Sequence, residues 1–164
     1  SAYHYSTMKL SKWLENWDMT SLKIKAPFLE MEWKPQDEDK AAAWDLYIEL
    51  ITRVTTQPIS DDSGSEKAAL DSVYQLFPIT RDVIKSNGRH CIQFTKIAVI
   101  VLNQIVRPFT SKWHSITSAN ENLTDAEKAC FRDELQVLQG ELITYSKMLA
   151  DLADVEDLSD IITV

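Results

Sequence analysis

The sequence predicts an all-α protein: an antiparallel helical bundle of about five helices behind a short extended N-terminal segment. Three observations carry this. Apolar residues recur at helical spacing, most regularly in Phe131, Leu135, Leu138, Leu142, Tyr145, Leu149 and Leu152. Thr124-Asp125-Ala126-Glu127 is a capping box that opens that stretch. Residues 90–106 are apolar on nearly every face, as a central helix requires. The chain has 164 residues, 45% of them apolar, which suits one domain with a sizeable core. Its parts read as an N-terminal tail and short amphipathic helix (1–21), an extended segment (22–35), the helical bundle (36–155) and an acidic C-terminal tail (156–164).

Each element has its own cause. After the patternless SAYHYST, Leu10, Trp13, Leu14 and Trp17 fall at helical spacing and predict a short amphipathic helix. Residues 22–33 alternate instead, with Pro27 interrupting, and predict an extended run lying over the core, to which any sheet is confined. From Asp37 the acids suit a helix N-terminus, and Trp44, Tyr47, Ile48, Ile51 and Val54 form the stripe of a helix over 36–56. PISDDSGS is a loop in which Ser63 or Ser65 can cap the next helix. That helix carries Leu70, Val73, Tyr74 and Phe77, meets Pro78, and restarts through Ile79, Val83 and Ile84 before Asn87-Gly88 stops it. One kinked helix or two short ones would account for it. The β-branched run within 90–106 leaves a buried strand as the alternative to a central helix. In the last helix Cys130, Val137 and Ile143 flank the heptad seam and widen it. Burial against the 36–56 and 90–106 helices is therefore expected, with a homodimer or partner seam as the alternative. Beyond it DLADVEDLSDIITV has five acids and no base, and is expected to fray.

Charge and composition exclude several classes of function. The net charge is −8, which argues against a general nucleic-acid binder. Residues 79–118 nevertheless hold six bases (Arg81, Lys85, Arg89, Lys96, Arg107, Lys112) and one acid, Asp82, giving +5 and leaving −13 for the remainder. This basic middle either pairs with acidic helices or offers an anion surface, for which Arg81, Lys85, Arg89 and Lys112 are the candidate ligand-binding residues. The longest apolar run, 97–106, is half the roughly 20 residues of a spanning helix, so no membrane is expected. The N-terminus lacks the pattern of a secretion signal, and two cysteines, Cys91 and Cys130, read as buried thiols of a cytoplasmic protein. Three scattered glycines make no phosphate-cradling loop, and three histidines make no metal-ligand spacing. No cofactor and no metal are expected.

The remaining chemistry lies in RPFTSKWH, residues 107–114. Arg107 and His114 stand seven positions apart, close to two helical turns, and so share a face. Pro108 suits the first position of a helix, which would make Arg107 the cap of a new helix whose open N–H groups favour an anion. His114 would serve as general acid or base beside it. The same eight residues also read as packing at a bend, with Phe109 and Trp113 in the core and Arg107 paired with an acid.

The arginine, the histidine and their six-residue gap resemble the R-x4-6-H signature of the HEPN superfamily, all-α domains that include metal-independent ribonucleases, often dimeric and common in bacterial defence systems. The resemblance covers two residues and the fold class. It implies catalysis by Arg107 and His114 on RNA. The wider pattern, AAWDLYIELITRVTTQP followed by VLNQIVRPFTSKWH, is also similar to bacterial helical proteins of this size to which no activity is attached. The expected function is thus a helical protein-interaction or accessory module of a bacterial cytoplasmic system, working with a protein partner or as a homodimer. The alternatives are a HEPN-like ribonuclease and a binder of a small anionic or nucleotide ligand.

Overall fold

In the computed structural model, residues 8–17, 30–53 and 65–158 are described. Among them the chain is an all-α helical bundle. The elements are α1 (Leu10–Glu15), α2 (Asp37–Ile51), α3 (Ser65–Tyr74), α4 (Leu76–Asn87), α5 (Ile92–Ile100), a π-helical turn (Val101–Val106), α6 (Arg107–Ala119) and α7 (Asp125–Ala153). None of these helices is long and apolar enough to cross a membrane.

The N-terminal piece is fastened to the bundle by aromatic packing. Most of the run predicted to be extended, 22–29, lies outside the described residues. Where the chain is described again it passes beside α1. The Leu10 N–H donates to the Met31 carbonyl at 3.1 Å, and Lys9 and Glu32 form a single antiparallel bridge. Trp33 is fully buried and stacks on Trp13 with ring centroids 4.9 Å apart. The Trp13 indole reaches the far end of α7, donating to Asp151 at 3.4 Å.

Helix α2 is central, contacting α7, α4 and α5. Its buried face is Asp39, Ala42, Ala43, Leu46, Tyr47 and Leu50, so the stripe read from the sequence is corrected: Trp44 points outward, and Ile48 and Ile51 are only half-buried. Three neighbours demand a broad face, and alanines at 42 and 43 let helices approach closely where an indole would hold them apart. Asp39 closes two helices at once. Its carboxylate accepts from the Gln36 N–H at 2.7 Å, completing a capping box at the start of α2, and from the Phe94 N–H at 2.8 Å in the first turn of α5. Burial pushes this carboxyl above its ordinary range, and the N–H donors hold part of that rise back.

Helices α3 and α4 are one bent helix. Gln75 between them keeps helical dihedrals, its N–H bonds to the Asp71 carbonyl at 3.0 Å, and the Ile79 N–H bonds to its carbonyl at 3.1 Å. Pro78 forces the bend because it offers no N–H to the Tyr74 carbonyl. Gly88, at φ 82°, ends α4 as expected. Residues 63 and 64, near the expected cap of α3, lie outside the described residues, and Glu66 pairs instead with Arg132 of α7 at 3.0 Å.

The run from 92 to 119 is helical throughout, which disposes of the strand alternative. Pro108 does not begin a new helix, contrary to expectation. Val106 and Arg107 keep right-handed helical dihedrals, and the Arg107 N–H reaches back five residues to the Leu102 carbonyl. The π turn widens the backbone where the proline ring would otherwise press on the carbonyl four residues earlier, and the helix continues through it.

Helix α7 runs for 29 residues from its Thr124–Glu127 capping box, both halves of which are present. Every predicted seam residue from Phe131 to Leu152 is buried, against α2 chiefly and also against α3, α6 and the π turn. The residues predicted to widen the seam do not all do so. Cys130 is exposed, which also corrects its reading as a buried thiol, Val137 is 65% exposed, and Ser146, Met148 and Ala150 widen the buried face instead. The chain then turns through Asp154 in the left-handed region (φ 60°). The start of the acidic tail is held rather than frayed: the Tyr47 hydroxyl donates to Asp157 at 3.3 Å and accepts from the Leu158 N–H. Residues 159–164 lie outside the described residues.

Candidate functional site

Helix α6 divides its side chains between two faces. Phe109 and Trp113 turn inward, 5.3 and 5.1 Å from Phe131, and the Trp113 indole donates to Glu134 at 2.7 Å. Arg107, Thr110, Ser111 and His114 lie at i, i+3, i+4 and i+7 and face the other way. There they meet Tyr74 of α3 and Phe77 and Arg81 of α4, and the seven residues line a pocket of about 150 Å³. The spacing argument for Arg107 and His114 therefore holds, and a third candidate, Arg81, joins them from a different helix.

The pocket's geometry derives from the bent α3–α4 helix and the π turn. Tyr74, Phe77 and Arg81 stand at i, i+3 and i+7 along this bent helix and line the pocket opposite α6. Arg107 lies with its guanidinium 4.8 Å over the Phe77 ring and donates through Nε to Asn103 of the π turn at 3.0 Å. These two contacts hold the guanidinium in place along the pocket wall. The His114 ring packs beside Tyr74, centroids 5.4 Å apart and tilted by 55°. Thr110 is buried with its hydroxyl on the Arg107 carbonyl at 3.2 Å.

Chemically the pocket is basic. Two guanidiniums, one imidazole and the hydroxyls of Tyr74, Thr110 and Ser111 line it, and among the described residues no carboxylate does. Among the described residues neither Arg81 nor Arg107 makes an ion pair with an acid, so the reading of Arg107 as half of a salt bridge is replaced by its contacts with Asn103 and Phe77. Guanidinium forks from two directions match the tetrahedral oxygens of a phosphate. The open helix N-terminus expected at Arg107 contributes nothing, because the helix does not begin there. A larger cavity of about 660 Å³ also includes His114 in its lining, with residues of α3, α6, the 121–123 loop and the start of α7.

The other basic candidates lie elsewhere. Lys112 points to α7, bonded to Glu134 at 2.7 Å and 5.1 Å from the Trp113 ring, and the Glu134 bond raises its pKa. Lys85 and Arg89 are exposed near the end of α4, outside the pocket. Sequence reasoning missed Tyr74, taken for a core residue and in fact 47% exposed, together with Thr110 and Ser111. The two hydroxyls were legible, since they share the i, i+3, i+4, i+7 face with Arg107 and His114. Comparison of the chain with protein-family models, with curated proteins and with solved structures returned no match.

Proposed function

We propose that this chain is a helical accessory module whose pocket between α3, α4 and α6 binds a phosphate-bearing ligand, a nucleotide or an RNA phosphate. The supporting observation is the convergence of Arg81 with Arg107 and His114 on one pocket that, among the described residues, no carboxylate lines. The HEPN-like ribonuclease is the second reading, favoured by Arg107 and His114 sharing that wall. A phosphodiester held by the arginines would lie beside an imidazole able to exchange protons with it, without a metal.

Titration with inorganic phosphate, a mononucleotide and a short single-stranded RNA in chelator tests both. Saturable binding that weakens about tenfold or more in Arg81→Gln and in Arg107→Gln is expected, a charge-assisted bond being worth about 1.5–3 kcal/mol. Absence of binding by all three ligands overturns the proposal. RNA cleavage that disappears in His114→Ala while RNA is still bound makes the protein a nuclease, and intact RNA leaves it a binder.

A further inference from the structure

A second concave site lies across α4 from the basic pocket. Trp44, Asp45, Ile48 and Glu49 of α2 face Ile79, Asp82, Val83 and Ser86 of α4 across a groove of about 410 Å³, within the roughly 300–1,000 Å³ of ordinary ligand sites. The spacing on each helix places these residues on one continuous face. Ile48, Ile79 and Val83, half-buried or buried, are the aliphatic part of this lining, and Trp44, which the sequence stripe would bury, joins them 42% exposed. An indole left in water beside an aliphatic lining is unusual for a chain that buries Trp13, Trp33 and Trp113. Its ring is steadied by Tyr47, centroids 6.0 Å apart.

The rim carries one sign of charge. Among the described residues Asp45, Glu49 and Asp82 line the groove and no basic residue does, with Arg53 pairing with Glu49 beside it. Asp45 is positioned by Asn87, whose amide donates to it at 2.9 Å and to the Val83 carbonyl at 2.8 Å. Glu49 is set by Arg53 at 2.9 Å, and Asp82 makes no ion pair among the described residues. Aliphatic lining, exposed indole and acidic rim together match one side chain best. An arginine lays its aliphatic stem on the isoleucines, stacks its guanidinium on the indole and bonds the carboxylates with its fork.

We infer that the α2–α4 groove is a docking site for an arginine-bearing segment of a partner protein. Its charge complements such a partner, and it lies apart from the basic pocket, so the inference stands whether or not that pocket binds phosphate.

The test uses the full chain labelled with ¹⁵N, with the Trp44 indole resonance assigned through Trp44→Phe. A blocked heptapeptide with a central arginine flanked by leucines is titrated in, beside the same peptide carrying neutral citrulline. Saturable shifts confined to Trp44 and the groove residues of α2 and α4 are expected, weakening at least about threefold with citrulline. Asp82→Asn and Trp44→Leu should each weaken the arginine peptide about two- to fivefold. Both sites are exposed or on the rim, and unchanged helical circular dichroism shows that the variants fold. Shifts that are absent, scattered over the surface, or equal for the two peptides overturn the inference. Sedimentation of the protein alone supplies the remaining arm: a concentration-dependent dimer abolished by Asp82→Asn would make the occupant a second copy of this chain and overturn the separate partner.

Discussion

Helix α7 and the helix that runs from 92 to 119 are nearly equal in length and solve opposite problems. The first is regular, capped by its own Thr124 and Glu127, and buries one continuous seam. The second takes its N-terminal cap from a distant carboxylate, Asp39 of α2, and changes its winding at 101–106. Regularity suits a spine. The irregular turn suits a site, because each residue added to a turn rotates the remainder of the helix by about 100°, and here it sends Phe109 and Trp113 inward while Arg107 and His114 face Arg81.

The largest expected effect falls where the two helices meet. Phe131 of α7 is inaccessible to solvent and packs on Phe109 and Trp113 of α6. Phe131→Ala should cost about 3–5 kcal/mol, a large share of the roughly 5–15 kcal/mol that holds a domain together. Denaturant unfolding measures it. A loss below about 1 kcal/mol would mean that α6 does not rest on the α7 seam, and a changed oligomeric mass with an unchanged midpoint would make the seam intermolecular.

The two N-terminal caps sharpen the comparison. Asp39→Ala strands the buried Phe94 N–H and opens the α2 capping box, and should cost about 2–3 kcal/mol. Thr124→Ala removes one exposed local cap and should cost about 1 kcal/mol. Chemical denaturation of both variants ranks them. An equal loss, or the reverse order, would show that α5 does not depend on α2 for its start.

What could be read in the sequence divides along the same line. The capping box, the seam and the Gly88 stop are local signals, each complete within a few turns, and all three were legible. The register of α2 was not, because its face answers to three neighbours at once, and because Asp39, a charged residue, belongs to the core as the cap of another helix. No periodicity of hydrophobic residues can report that. Half of the basic pocket was legible in the spacing of Arg107 and His114. The meeting of Arg81 with them was not legible: the bend at Pro78 could be read, but the packing of α4 on α6 and the π turn at 101–106 could not.

The smallest effect probes the one flaw in the regular helix. Tyr145 is a seam residue whose buried hydroxyl has no hydrogen-bond partner among the described residues. Tyr145→Phe removes a polar group that gains nothing in the fold, so at neutral pH stability should change by less than about 1 kcal/mol, toward greater stability. At alkaline pH the two proteins should separate. Burial raises the Tyr145 phenol well above its ordinary value of 10.0, so the unfolded chain loses this proton first. A group whose neutral form is favoured by folding stabilises the fold below the unfolded pKa and ceases to as pH rises past it. Stability of the parent protein should therefore fall above pH 10, by up to about 1.4 kcal/mol per pH unit for this group. The phenylalanine variant should fall less steeply. It keeps some slope, because burial also raises the phenol of Tyr47. Thermal midpoints of both proteins from pH 8 to 11 measure the difference. Parallel curves would place the Tyr145 hydroxyl in contact with water or a partner, and the α7 seam would then be open at its centre.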